Sequence, residues 1–206
     1  MICGIILAAG ESKRMGCPKQ LLPFGNQTLI EVVLEHALQS RLDEVTVVLG
    51  SHRESIAEKL ARYPVSMVFN SHYRNGMLSS VQCGFEAMAK DATAAIIILG
   101  DQPTIPKEVI DSIIDAYHGS GKGIVLPIYQ NRRGHPVLID CKYRNEVADL
   151  DPAVGLRALI HEHPEDVEEV AVELPAILKD IDYPEDYLEE FQKQENGTKR
   201  QKKEES

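Results

Sequence analysis

Two glycines and three cationic side chains lie close together near the N-terminus, directly after a short apolar run. The glycines are Gly10 and Gly16, and the cations are Lys13, Arg14 and Lys19. Glycine lets the backbone turn sharply and bring its N–H groups close to an anion, while the cations supply charge that N–H groups lack. The spacing fits neither a Walker loop nor the G-x-G-x-x-G dinucleotide motif. It indicates a phosphate-binding loop, with a surface turn carrying solvated basic residues as the alternative.

Two aspartates later in the chain are candidate metal ligands. Asp101 follows the continuous apolar run of residues 94–99, and Asp182 lies in an Asp-Ile-Asp segment that alternates like an edge strand. Mg²⁺ takes oxygen ligands and commonly uses one or two carboxylates beside substrate phosphates. A structural alternative stays open for each residue, because Asp101 could begin the turn before Pro103 and Asp182 could cap the following helix.

Short apolar runs alternate with longer amphipathic runs along the chain. This alternation predicts an α/β fold with crossover connections and a mostly parallel sheet that helices cover on both faces. Ligands of such a sheet bind beyond the carboxyl ends of its strands, where the loops after residues 7, 69 and 99 open. Strands are predicted near residues 2–7, 44–49, 65–69, 94–99, 123–128, 136–139 and 167–173, and helices near 28–40, 52–62, 78–90, 106–118, 154–163 and 184–193.

Local sequence marks three of the helix starts. Capping boxes at Thr28-x-x-Glu31 and Ser51-x-x-Glu54 predict two of them. Pro106 suits the first turn of a third helix.

Length and composition limit the class of protein. A chain of 206 residues with 43% hydrophobic content can bury a full core, and we predict one domain over residues 1–191. Aromatic and aliphatic residues vanish afterwards, which predicts a disordered polar tail over residues 192–206. A net charge of −10 makes the surface a poor partner for nucleic acid or anionic membrane. No apolar run approaches the roughly 18 residues of a membrane span, so a cytoplasmic protein is expected.

Five segments, in this order, resemble the nucleotidyltransferases that include the molybdenum cofactor cytidylyl- and guanylyltransferases. They are residues 7–19, 70–80, 100–103, 134–136 and 180–186. The resemblance is closest to the cytidylyltransferase branch, including relatives that serve xanthine dehydrogenase in purine catabolism. It implies a three-layer α/β/α, Rossmann-like nucleotidyltransferase fold. The pair Ala8-Ala9 is similar to the cytidylyl branch, whereas the guanylyl branch more typically has Ala-Gly-Gly.

The resemblance implies cytidylyl transfer from CTP to a molybdopterin-type cofactor, with release of pyrophosphate. Lys19 is then expected to hold the α-phosphate and Arg14 the departing pyrophosphate. Asp101 and Asp182 would hold Mg²⁺ or Mn²⁺. No general base is required, because the attacking phosphate is already ionised and the protein mainly neutralises and aligns two anions.

The resemblance also implies sites for the base and the acceptor. The expected nucleotide-binding residues are Leu7, Ala8, Ala9, Gly10, Arg14, Lys19, Asn70, Gly76 and Ser80. Asn70 and Ser80 could equally be turn or helix caps. Arg132, Arg133 and His135 are expected near the acceptor pocket, with a strand-connecting turn of solvated charges as the alternative.

One departure from the family pattern bears on the acceptor. The family usually has Asp at the position of Ala153, and Asp151 could substitute for it from a shifted position. Other hypotheses therefore stay open: a different phosphorylated acceptor such as a sugar phosphate, GTP-dependent guanylyl transfer, or a non-catalytic cofactor carrier. Either a transferase or a carrier of this kind would make transient contact with a molybdenum hydroxylase.

Overall fold

The computed structural model describes residues 1–204, with only the helical backbone described from residue 196 onward. The strands are β1 (Ile2–Ala8), β2 (Pro23–Phe24), β3 (Gln27–Thr28), β4 (Glu44–Leu49), β5 (Ser66–Phe69), β6 (Ala94–Leu99), β7 (Ile124–Tyr129), β8 (Arg132–Arg133), β9 (Val137–Asp140) and β10 (Val167–Ala171). The α-helices are α1 (Leu29–Gln39), α2 (Arg53–Leu60), α3 (Met77–Ala87), α4 (Lys107–Ser120), α5 (Arg144–Asp149), α6 (Arg157–Glu162) and α7 (Pro184–Glu204). None of the described helices is long and apolar enough to cross a membrane.

The main sheet has 8 strands and is mostly parallel, as predicted. Its order is β10-β7-β9-β6-β1-β4-β5, with β8 paired to β7, and β9 is antiparallel to both of its neighbours. β1 lies in the centre, where Leu7 is level with Leu99 of β6 and with Val48 of β4. Phe69 of β5 is level with Leu49 of β4. These four strands therefore end at one edge of the sheet, and the loops that follow them open together.

Buried apolar side chains cover both faces of the sheet, so the molecule has three layers. Consecutive residues of β1 point to opposite faces: Ile6 packs in one core with Ile30 of α1, and Ile5 packs in the other with Phe85 of α3. This double burial explains why the central strands are continuous apolar runs rather than alternating ones. The predicted α/β class with helices on both faces is confirmed.

Most predicted elements begin and end within a few residues of the observed ones. The box at Thr28 is confirmed, because its backbone N and Oγ1 donate to Glu31 Oε2 at 2.9 and 2.7 Å. The box at Ser51 is wrong: α2 begins at Arg53 and has no side-chain cap. The Ser51 N–H donates to the carbonyl of Ala9, directly after β1, so Ser51 is held there and the helix starts later.

Two further boundaries differ from the prediction. Pro106 lies at the N-cap of α4, immediately before the first turn. α7 continues to Glu204, and Lys193 pairs with Glu189 one turn earlier at 2.5 Å, a spacing that supports helix in a polar segment. Residues 205 and 206 lie outside the described residues, and disorder over residues 192–206 stays a prediction.

Gly84 sets the close approach of α3 to β1. A Cβ at this position would overlap Ile5 Cγ2 and lie 3.3 Å from Val48 Cγ2. We expect Gly84→Ala to lower the free energy of unfolding by about 1–3 kcal/mol, the usual cost of overpacking a core. Gly119→Ala in α4 is the matched control, because its Cβ would meet no atom within 4 Å.

Urea unfolding of both alanine variants measures the difference. The control is expected to gain up to about 1 kcal/mol from the higher helix propensity of alanine. Equal stability changes at the two positions would contradict the packing described for α3.

Candidate functional site

A cavity of about 310 Å³ opens at the edge where β1, β4, β5 and β6 end. It is lined by Leu7, Ala9, Gly10, Lys19, Gln20, Tyr73, Gly76, Met77, Ser80, Leu99, Asp101, Asp180 and Asp182. The loops after β1, β5 and β6 all contribute, in agreement with the place that the sheet topology predicts. We call this cavity the strand-end cleft.

The loop after β1 folds back so that Lys19 points into the cleft. Ser12 Oγ accepts the backbone N–H of Lys19 at 3.1 Å, and Lys19 then begins a short 3-10 helix, Lys19–Leu21. Gly16 has φ 69°, a left-handed conformation that glycine adopts readily. Lys13 points away and pairs with Glu11 at 2.8 Å. The loop thus separates one buried cation from a solvated one.

Lys19 binds two carboxylates that come from distant parts of the chain. Its Nζ lies 2.6 Å from Asp101 Oδ2 and 2.7 Å from Asp182 Oδ1. Arg14 holds the other oxygen of Asp182, with an Nη1 to Oδ2 distance of 2.8 Å. The Lys19 side chain is only 10% exposed, whereas that of Arg14 is 61% exposed. The alternative of a surface turn with solvated bases is therefore wrong for Lys19.

The carboxylate of Asp182 does not cap α7, because both of its oxygens accept from cations. The backbone N–H groups of Asp182 and Tyr183 instead donate to Asp186 Oδ2 at 3.1 and 2.8 Å. The helix-cap alternative for Asp182 is therefore wrong, and its carboxylate is directed into the cleft.

Asp180 is a third carboxylate of the cleft that we did not predict as a site residue. Gln102 Nε2 donates to Asp180 Oδ1 at 2.8 Å, and the Ile181 N–H donates to the Asp101 carbonyl at 3.2 Å. These bonds tie the segment before α7 to the end of β6. The Asp-x-Asp spacing of residues 180–182 was the available signal, but that spacing alone does not show that both acids line the cleft.

The charged state of the cluster follows from its contacts. Burial acts to lower the pKa of Lys19, but the charges and hydrogen bonds of Asp101 and Asp182 outweigh it and raise that pKa. The hydrogen bond from Lys19 lowers the pKa of Asp182. Burial, followed by the charges of Asp101 and Asp182, raises the pKa of Asp180. At pH 7 the ammonium and the Asp182 carboxylate are thus both ionised.

The oxygen donors of the cleft suit a hard divalent cation. Asp101 and Asp182 approach a single Nζ atom, so their oxygens lie close enough together to share one ion, and Asp180 stands beside them. Mg²⁺ and Mn²⁺ take such carboxylate oxygens, usually one or two at a time. The residues present fit either ion.

Ser80, which is hydrogen-bonded to Asn70, forms part of the cleft wall that follows β5. Asn70 is buried, and its Nδ2 donates to Ser79 Oγ at 2.9 Å and to Ser80 Oγ at 3.0 Å. Its Oδ1 accepts the His72 N–H at 2.8 Å. Asn70 thus supports the wall from behind, while Ser80 and Gly76 line the cleft itself.

A second, larger cavity of about 600 Å³ adjoins the cleft and shares Met77 with it. We call it the apolar cavity. Its lining consists of Met77, Leu78, Val81, Leu126, Arg133, Gly134, His135, Val137, Pro152, Val154, Gly155, Leu156, Arg157, Ile160 and His161. Arginine and histidine are the only ionisable side chains among these lining residues.

The acceptor residues that we predicted divide between this cavity and the surface. Arg133 and His135 line the apolar cavity and Arg132 does not, although both arginines are exposed on β8. Burial is the main cause that lowers the pKa of His135; the charge of Asp101 opposes it, and the charge of Arg157 adds a smaller lowering. Arg157 was not predicted as a site residue, although the Gly-Leu-Arg segment of residues 155–157 was the available signal. The charges of Arg157 and Asp101 both act on the imidazole of His135.

Asp151 does not take the place of the aspartate that the resemblance leads us to expect at position 153. Its Oδ1 accepts the Ala153 N–H at 2.8 Å, so the carboxylate is engaged within its own turn. Asp151 lines neither the strand-end cleft nor the apolar cavity. The expected substitution from a shifted position is therefore wrong.

Two sequence relatives and a family match place the chain among known proteins. Residues 4–167 match the family of MobA-like NTP transferase domains. A protein named nicotine blue oxidoreductase, from Paenarthrobacter nicotinovorans, is 31% identical over 172 residues, or 79% of this chain and 83% of its own length. The molybdenum cofactor cytidylyltransferase of Escherichia coli K12 is 27% identical over 187 residues, or 89% of this chain and 92% of its own length.

Solved structures show the same fold. Rv0371c from Mycobacterium tuberculosis H37Rv superposes with a TM-score of 0.83 at 30% identity, over 93% of this chain and 97% of that one. A second structure of Rv0371c is described as a complex with manganese, and it superposes with a TM-score of 0.79 at 28% identity, over 93% and 98% of the two chains.

Proposed function

The chain belongs to the MobA-like NTP transferase family and is a nucleotidyltransferase, and we propose that it transfers the cytidylyl group of CTP to a molybdopterin-type cofactor. The products would be the cytosine dinucleotide form of the cofactor and pyrophosphate. The observation that carries the proposal is the contact of Lys19 with both Asp101 and Asp182 in the strand-end cleft. We further propose that the product serves a molybdenum hydroxylase such as xanthine dehydrogenase, through transient contact.

The cationic side chains of the cleft act on the phosphates. Lys19 would hold the α-phosphate and Arg14 the departing pyrophosphate, so that two anionic reactants can approach each other. Mg²⁺ or Mn²⁺ held by Asp101 and Asp182 would add positive charge and a template for the triphosphate. A phosphate oxygen of the acceptor attacks the α-phosphorus in line and the bond to pyrophosphate breaks, with no proton to remove.

The preference for CTP is supported by the Ala8-Ala9 pair and by the name of the Escherichia coli relative. Ala9 and Ser80 both line the cleft. A few backbone groups here can distinguish the hydrogen-bonding edges of cytosine and guanine, with size as a second filter.

We expect Ala9→Gly to weaken the preference for CTP over GTP. Removing the methyl group widens the turn and frees its backbone, so the relative specificity should change by on the order of 1–3 kcal/mol. Full conversion would also need changes near Ser80. Ratios of kcat/KM for CTP and GTP in the native protein, Ala9→Gly, Ser80→Ala and the double variant test this. A native protein that already prefers GTP would overturn the cytidylyl assignment.

The apolar cavity is the proposed acceptor site. Its apolar walls suit a ring system, and Arg133, Arg157 and His135 can bind a phosphate group on the same molecule. The shared residue Met77 places the cavity directly beside the strand-end cleft. This arrangement supports an acceptor that is both apolar and anionic.

Pyrophosphate release with CTP, GTP, ATP and UTP, each with and without purified molybdenum cofactor, tests the proposal. The expected result is release that needs both CTP and the cofactor. Pyrophosphate release with a sugar phosphate in place of the cofactor would support the transferase activity but show that the acceptor is a different molecule. An oxidoreductase, the activity named for the Paenarthrobacter relative, would release no pyrophosphate with any of these mixtures.

A further inference from the structure

Lys19 makes the contacts that a divalent cation would need if it were shared by Asp101 and Asp182. We propose that Lys19 is an internal counterion of these two carboxylates. When nucleotide binds, its ammonium moves from the carboxylates to the nucleotide phosphates. Divalent metal then binds weakly to the nucleotide-free protein and well only together with nucleotide. This inference rests on the proposed function and adds a control of metal binding to it.

The distances show that the Lys19 ammonium takes the position between the two carboxylates that a shared metal ion would need. Asp101 Oδ2 and Asp182 Oδ1 lie 2.6 and 2.7 Å from the same Nζ, and Arg14 occupies the second oxygen of Asp182. A divalent ion on the same two oxygens would stand next to the ammonium with little water between them, because the Lys19 side chain is only 10% exposed. Like charges at such a distance repel strongly in a partly buried site.

The side chain of Lys19 can move without the loop that carries it. The backbone N–H of Lys19 is fixed on Ser12 Oγ, and the residue begins the 3-10 helix Lys19–Leu21, whereas the ammonium is carried on a flexible four-carbon stem. Gly10 and Lys19 line the same cleft. A phosphate bound near Gly10 therefore offers Lys19 a new anionic partner within the same cavity.

The two carboxylates also need a cation in the absence of nucleotide. Asp101, Asp182 and Asp180 line one cleft, and Lys19 is the buried cation among them. Removing one partner from a buried ion pair is strongly destabilising, since it leaves charge without compensation. Loss of the ammonium would thus leave the mostly buried Asp101 carboxylate without compensation, so Lys19 is expected to leave it only when another cation takes its place.

Titration of the nucleotide-free protein with MnCl₂ alone, followed by calorimetry or by the EPR signal of free Mn²⁺, tests the inference. Lys19→Met keeps the apolar stem and removes the charge, so Mn²⁺ should bind about 10-fold more tightly or better, a size typical of coupling between two ligands. Lys19→Arg keeps the charge and should show no gain. Lys13→Met, at an exposed cation outside the cleft, is the control for net charge.

Thermal unfolding supplies a second readout. Lys19→Met should unfold at a lower temperature than the native protein without metal and recover more of that loss when Mn²⁺ is added, because a ligand of the folded state stabilises it. Lys19→Gln replaces Lys19→Met in both measurements if the methionine variant does not fold.

The outcomes separate the two proposals. An Mn²⁺ affinity in Lys19→Met equal to or weaker than that of the native protein overturns the counterion role. If that affinity is then lost in Lys19→Met combined with Asp101→Asn, the metal site and the proposed function still stand. Tight Mn²⁺ binding that survives loss of the Asp101 charge would show that the metal lies elsewhere, and it would remove the metal part of the proposed function together with the inference.

Discussion

Asp101→Asn is expected to lower the rate of pyrophosphate release by about 10²-fold or more while the protein stays folded. Asparagine has nearly the size of aspartate and can still accept a hydrogen bond from Lys19, which lies 2.6 Å away in the native protein. It lacks the negative charge that a hard cation requires. The rate should be measured at limiting Mg²⁺, where a weakened metal site has its largest effect.

Asp151→Asn is the matched control for this variant. Asp151 bonds within its own turn and lines neither cavity, so its variant should keep nearly the native rate. Circular dichroism and thermal unfolding show whether both variants fold. A folded Asp101→Asn protein with near-normal activity at limiting Mg²⁺ would remove Asp101 from the site.

Lys19→Ala and Arg14→Ala are each expected to reduce the rate by roughly 10²–10³-fold, the scale for loss of one preorganised donor at developing charge. Lys19 lines the cleft, and Arg14 pairs with Asp182 of the cleft while its guanidinium lies over the ring of Tyr183 at 5.3 Å. Together they are the cations that contact the carboxylates Asp101 and Asp182 in the described residues.

Lys13→Ala serves as the control within the same loop. The Lys13 side chain is 77% exposed and pairs with Glu11, so its loss should have a far smaller effect. Steady-state kinetics of all three variants at saturating nucleotide make the comparison. Similar losses in all three would show that the loop contributes only a diffuse positive field.

The short apolar runs predicted the sheet and the helices on both of its faces. They could do so because a strand that is buried on both faces appears in the sequence as an uninterrupted apolar run. Residues 94–99 are all buried, so an uninterrupted apolar run is the expected sign of a central parallel strand. Details that depend on neighbours in space were missed. α2 starts later than the Ser51 box predicts, since the Ser51 N–H is bound to Ala9, and the short helix α5 (Arg144–Asp149) has no strong pattern of its own.

The candidate site was predictable in its residue types but not in its contacts. Lys19 and Asp101 are 82 positions apart, and Lys19 and Asp182 are 163 apart, so their direct pairing depends on the tertiary fold. Local spacing left the role of Asp182 open between metal ligand and helix cap. Arg157 was missed for a related reason: it and His135 are 22 positions apart, and only the tertiary fold brings both to the apolar cavity.

The most direct test of the account follows the α-phosphorus of CTP. Native protein is incubated with Mg²⁺, purified molybdenum cofactor and CTP that carries ³²P at its α-phosphate. The products are then separated and identified by mass spectrometry. The expected result is label in a cytosine dinucleotide form of the cofactor, with one pyrophosphate released per transfer and no transfer by Asp101→Asn. Recovery of all label as CTP or free CMP, under conditions in which the protein is folded and the cofactor intact, would contradict cytidylyl transfer by this cleft.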